Sequence, residues 1–135
     1  MPSLDQREYE RLLNFRTGLR RFLKWSAAQA AAAGLTPARH QLLLAIRSHP
    51  DPAGPTVGDM ARYLAIRHHS AVELIDRAVA AGLVARRQDS DDSRAVRLRL
   101  TVDGDERLAR LTELHLEELR RLAPQLTGLW EGLDS

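Results

Sequence analysis

The residues able to do chemistry in this chain are mostly cations. Arg67, Arg77, Arg86, Arg87, Arg94, Arg97 and Arg99 all fall within one stretch of about a quarter of the sequence. Guanidinium groups bind phosphate, and an arginine can enter a narrow minor groove. Val96, Leu98 and Leu100 alternate with Arg97 and Arg99, which predicts a half-buried strand over 95–100 with a basic outer face. Leu83-Val84-Ala85 reads as its partner strand, continued by Arg86 and Arg87, and residues 89–93 have turn composition. The result is a hairpin with basic arms and Arg94 at its tip. An edge strand charged against aggregation would explain Arg97 and Arg99, but not Arg94 beside three acids. Asp92 is read as bracing the turn, because its charge would repel phosphate.

Immediately before the hairpin, residues 68–81 read as a helix with Val72, Ile75 and Val79 inward and Gly82 as its stop. Its other face then carries His69, Ser70, Glu73 and Arg77, with Arg67 and His68 at its entry. These residues suit base edges and phosphates in a major groove. Glu73 could accept from a cytosine amine, or pair with Arg77 one turn on. A solvated polar face is the bland alternative. Thr56-Val57-Gly58-Asp59 has the form of a capping box and starts a short helix that buries Val57, Met60, Ala61 and Leu64. A tight connection at Ala65-Ile66-Arg67 joins the two, which makes a helix-turn-helix pattern.

Other chemistry is poorly supported. The chain of 135 residues has no cysteine, so disulfides, thiolate metal sites and cysteine redox sensing are excluded. There is no glycine-rich phosphate loop and no nucleophile motif, so an enzyme is not expected and no cofactor is called for. His115 and Glu118 have metal-compatible spacing, but two ligands are not a site, so no metal is expected. His115 reads instead as a seam residue satisfied by a partner in a dimer. Trp25 is a candidate to line a ligand pocket, with packed core as the alternative. The N-terminus is polar, without a secretion signal, and no apolar run could span a bilayer; a cytoplasmic protein is expected.

The elements that must position the reader lie on either side. Residues 4–33 predict one long helix with Leu12, Phe15, Leu19, Phe22 and Leu23 on a stripe and Arg16, Arg20, Arg21 and Lys24 beside it. Thr36 and Pro37 start a second helix that buries Leu42, Leu43 and Ile46, ended by the proline-rich loop 49–55. Thr101 can cap a last helix, with a break or kink at Pro124. Leu108, His115, Leu122 and Leu129 form one heptad row of it, and Thr112, Leu119, Leu126 and Leu133 the other. Net charge runs from +4 over residues 1–55, through +2 over 56–101, to −4 over 102–135, so the two ends should attract, within or between subunits. Pairing of the chain ends is the natural route to a homodimer, with Leu12, Phe15, Leu19, Leu119, Leu122, Leu126 and Leu129 in the interface. The expected organisation is a mainly α protein with a small β wing. One domain spans 1–135, with a DNA-binding lobe at 36–101 and dimerisation helices at 4–33 and 102–135.

The run Asp92-Ser93-Arg94-Ala95-Val96-Arg97-Leu98-Arg99-Leu100-Thr101, followed by Gly104 and Leu108, resembles the wing of the MarR family of winged helix-turn-helix regulators. Leu35-Thr36-Pro37 with Leu42-Leu43, the run from His68 to Arg77, and Gly82-Leu83-Val84 match the same family in the same order. The resemblance covers nearly the whole chain. It implies a homodimer with interleaved terminal helices that binds a pseudo-palindromic duplex site and represses, less often activates, nearby genes. It also implies release by a small, often aromatic, effector bound between the terminal helices and the winged domain. By the resemblance Arg94 would be the minor-groove contact, and residues 67–70 with Glu73 the major-groove contacts. Arg77 would touch phosphate or pair with a wing acid such as Asp89 or Asp92. The absent cysteine departs from the family's peroxide-sensing branch. A winged-helix protein-interaction module without specific DNA binding is the alternative function.

Overall fold

The fold was obtained as a computed structural model, which describes residues 3–88 and 95–131. Arg94, Asp92 and Leu133 lie outside the described residues. The order is α1 (Gln6–Ala32), α2 (Pro37–Ser48), α3 (Val57–Leu64), α4 (His68–Ala80), β1 (Val84–Gln88), β2 (Val96–Leu100) and α5 (Val102–Trp130).

Local chemistry explains most boundaries. Asp5 and Glu8 form a reciprocal capping box at the start of α1, and Thr56 with Asp59 forms another at α3. Thr36 caps α2 by accepting from the Arg39 amide, and Thr101 caps α5 by accepting from the Gly104 amide. α1 stops where Gly34 turns left-handed (φ 77°) and the Leu35 amide reaches back 2.8 Å to the Ala30 carbonyl. α4 stops the same way at Gly82, with Leu83 bonded to Ala78.

The core joins the helices and the wing through Leu42, Leu43, Met60, Ile75, Leu83, Val84 and Leu98. Leu35, Ala30, Leu108 and Leu111 extend it to the long helices. β1 and β2 pair antiparallel, Val84 opposite Leu100 and Gln88 opposite Val96. The outer edge of β2 is held by the loop after α2, where the Leu98 amide donates to the Pro55 carbonyl at 2.8 Å. That approach needs Gly54: a side chain there would strike the Leu98 carbonyl, and its φ is +92°. At the other end of the strand, Thr101 donates to the Leu83 carbonyl through its amide and to the Gly82 carbonyl through its hydroxyl. Gly104 then lets α5 pass directly over the Leu83 backbone.

Three expectations change. The inward stripe of α4 is Ala71, Ile75 and Ala78, with Val72 and Val79 only partly buried. Alanines let α4 sit close to its neighbours, which turns the helix so that the larger valines flank the contact. β1 runs through Arg86 and Arg87, as the sequence predicts, and ends at Gln88. α5 does not break at Pro124 but continues to Trp130. Pro124 lies on the exposed side, where water can satisfy the carbonyl one turn back that loses its amide partner. The inward row of α5 includes Leu111, outside both heptad rows and 1% exposed, while Leu119 remains 38% exposed.

α1 and α5 run side by side in opposite directions. They touch near Ser26 and His115. Further on, a groove of about 560 Å³ opens between them, lined by Phe15, Leu19, Phe22, Leu122, Leu126 and Leu129 among others. Leu12, Leu19 and Leu23 are about half exposed on α1, as are Leu114 and Leu116 on α5. No ion pair joins α1 to α5 among the described residues.

Candidate nucleic-acid interface

α4 is the exposed reader-like element. Its 13 residues make it about 20 Å long at 1.5 Å per residue. Arg67, His68, His69, Glu73 and Arg77 all face solvent, and Ser70 is half-buried at the flank. α1, α2, α3 and α5 all start on a side chain that caps an amide, whereas Arg67 gives α4 no such cap. No acid stands in the first turn of α4. The first amides of α4 are therefore open toward an anion, on the end where the helix dipole favours one.

Glu73 lies 3.2 Å from His69 Nε2, one turn away. His69, not the expected Arg77, is its neighbour. Arg77 is exposed, with no ion pair among the described residues, and the wing acids proposed for it, Asp89 and Asp92, lie outside them.

A link between α4 and the wing was missed from the sequence. Asp76 accepts from the Arg86 guanidinium, tying the solvent side of α4 to β1. The strand register explains it: Arg86 stands opposite Leu98 and so shares the core-side face of the hairpin, toward α4. The signal was present, since an acid on the outward face of a helix ten residues before an arginine on the next strand can meet it across a short turn. Arg87 and Arg97 stand opposite one another on the other face. Arg87 is exposed. Arg97 does not project freely as expected. It donates to the Gly54 carbonyl at 3.2 Å and lies 3.9 Å from Asp51, with its side chain 21% exposed. The close approach of the loop after α2 to β2 draws it inward, so it braces the wing root. Arg99 remains exposed.

His115 is not left for a partner subunit to satisfy. Its Nε2 lies 2.6 Å from Ser26 Oγ and its Nδ1 2.7 Å from the Leu111 carbonyl. Trp25 packs against His115 and Phe22 and lines none of the described cavities. Among the described residues no group of three or more His, Cys, Asp or Glu is placed to hold a metal. No helix is long and apolar enough to cross a membrane among them either.

Residues 33–95 match the model of the MarR family. Over that segment, just under half of the chain, the winged helix is similar to the MarR family. The search of curated proteins finds no match. Among solved structures, a MarR family protein from Bacillus stearothermophilus is similar at 22% identity and TM-score 0.73, over 89% of this chain and 82% of that one. Wild-type Escherichia coli MarR in its apo form is similar at 19% identity and TM-score 0.67, over 90% and 83%. The Staphylococcus aureus MepR–DNA complex is similar at 18% identity and TM-score 0.69, over 81% and 78%. These likenesses extend the MarR fold beyond the matched segment to most of the chain, so the long helices belong to the same architecture as the winged lobe.

Proposed function

We propose that the protein is a homodimeric, sequence-specific regulator of transcription that binds duplex DNA through α4 and the wing. The observation that carries this reading is the outward face of α4. It is a helix of about 20 Å, cationic at its entry, uncapped at its first turn and flanked by a hairpin, within a MarR fold. The MepR structure solved with DNA supports the same use of the fold. Arg67, His68, His69, Ser70, Glu73 and Arg77 meet the major groove, and Arg94 the minor groove. Arg97 acts near the backbone from the wing root, and Asp92 braces the turn.

The dimer is supported by the groove between α1 and α5 and by the exposed leucines along both helices. A second copy would cover Leu12, Phe15, Leu19, Leu119, Leu122, Leu126 and Leu129. Repression of nearby genes in the cytoplasm, released by a small aromatic effector bound between the terminal helices and the winged lobe, completes the reading.

The test is binding to duplex DNA from the gene's own upstream region across a salt series. Sequence-specific binding with a steep salt slope is expected, and Arg67→Ala should lower that slope by about one contact per half-site. Absence of specific binding at modest salt would sink the reading and favour a protein-interaction module.

A further inference from the structure

His40 on α2, His115 on α5 and Ser26 on α1 meet where the winged lobe joins the long helices. The His40 and His115 rings lie 4.9 Å apart. Trp25 stands edge-on to His115 at the same distance, and Phe22 closes the cluster. Each His115 ring nitrogen is engaged, Nδ1 with the Leu111 carbonyl and Nε2 with Ser26 Oγ. Because a carbonyl can only accept, Nδ1 carries the hydrogen and neutral His115 accepts from the Ser26 hydroxyl at Nε2. A proton added to Nε2 reverses that bond without breaking it, since the serine oxygen can accept. A positive charge on His115 would therefore keep both partners, but a charge on both rings would set two cations 4.9 Å apart in a half-buried site.

We propose that His40 and His115 form a proton-operated joint between the winged lobe and the long helices: charge on both rings parts α2 from α1 and α5. The surroundings offer little relief for a second charge. From α1 the cluster is faced by Ser26, Trp25 and Phe22, none of which titrates near neutrality. From α5 come His115 and, one turn on, Glu118, already ion-paired to Arg121. On α2, Arg39 follows the same sign as His40. Burial first, and then the charge of His115, hold the His40 imidazole below its ordinary value. The unfolded chain therefore takes up this proton before the folded one does. Stability contributed by neutral His40 is complete above the ordinary imidazole range and is lost as pH falls from there toward the lower folded value.

Three measurements on the full chain test the joint. In the wild type, ring NMR should show His40 titrating below the ordinary imidazole range; titration within that range overturns the proposal. In a Trp130→Phe background, where Trp25 is the remaining tryptophan, acidification from pH 8 to 5 should shift Trp25 emission. His40→Gln should remove the acid part of that shift, and an unchanged profile overturns the proposal. Between pH 7.5 and 5.5 the wild type should lose more operator affinity than His40→Gln, by roughly threefold or more, with His68 and His69 common to both; equal losses would overturn the link to the reader. This last arm rests on the DNA-binding reading, whereas the first two need no DNA. A protein that bound no DNA would fail that reading and leave the joint to be decided by NMR and fluorescence.

Discussion

Gly104→Ala should be among the most damaging single-methyl changes in the chain. An added Cβ would lie 3.0 Å from the Leu83 carbonyl carbon and 3.2 Å from its Cα, and nearer still to the carbonyl oxygen. Non-bonded carbons rest at about 3.5–4.0 Å, so α5 must retreat by about half an ångström or more. Its first turn is not free to do so. The Thr101 amide and hydroxyl hold the Leu83 and Gly82 carbonyls at 3.0 and 2.7 Å, and Leu108 and Leu111 are buried a turn or two on. Overpacking of this kind costs about 1–3 kcal/mol, and each weakened hydrogen bond about 1 kcal/mol more. Alanine returns up to about 1 kcal/mol as a better helix former than glycine. The net expectation is a loss of about 1–3 kcal/mol, read by urea denaturation at constant m-value. Gly128→Ala on the same helix, with nothing within 4 Å of its added carbon, is the control and should gain about 0.5–1 kcal/mol. If Gly104→Ala were as stable as the control, α5 would not pass over the Leu83 backbone as described.

Four further outcomes can be checked. Arg94→Ala should weaken operator binding while leaving the dimer intact by light scattering, and unchanged affinity would mean that the wing does not reach the duplex. Leu119→Asp should dissociate the dimer without unfolding the protomer, since Leu119 is 38% exposed there; a dimer that survived would move the interface elsewhere. Asp76→Asn and Arg86→Gln should each cost under about 1 kcal/mol of stability, as expected for an exposed pair. A double-mutant cycle on DNA affinity should show coupling, and additivity would show that the pair does not orient the wing. The Thr56 backbone amide, foremost, and then its hydroxyl hold the Asp59 carboxyl below its usual value. Its stabilisation is therefore present at neutral pH and lost as pH falls through that lowered value, so Asp59→Asn should flatten the acid limb of the stability curve.

The parts of the fold that are legible in sequence are those governed by neighbours in the chain. Thr36, Thr56 and Thr101 announce their helices because a cap acts within three residues, and Gly34 and Gly82 announce their stops for the same reason. The strand Val96–Leu100 is legible from strict alternation. What was misjudged depends on contacts between distant segments. Nothing near Arg97 says that the Gly54 carbonyl will arrive beside it. Nothing in the spacing of Val72, Ile75 and Val79 says that alanines, not valines, will take the close contact. His115 was assigned to a dimer seam by heptad position alone, because Ser26 lies 89 residues away in the chain. The outward residues of α4 were readable, while the ion pair that joins that helix to the wing required the strand register.

Besides the shared core, three contacts among the described residues fasten the winged lobe to the long helices. α5 enters over Leu83 at Gly104. Arg47 of α2 is ion-paired with Asp105 of α5 at 3.2 Å. His40 meets His115 at the third. The first is a backbone approach that admits little change without loss of packing. The third is made of side chains whose charge can change, in a half-buried setting where charge matters most. A rigid hinge on one side and a titratable one on the other would let the lobe tilt about Gly104 rather than detach. In a dimer read by two α4 helices, a small tilt alters their separation, and half-sites one turn apart, about 34–36 Å, tolerate little of it. An effector that wedged between α2 and α5 would act on the same hinge as a proton does. The sharpest comparison is therefore whether acid and effector release DNA additively or compete for the same displacement.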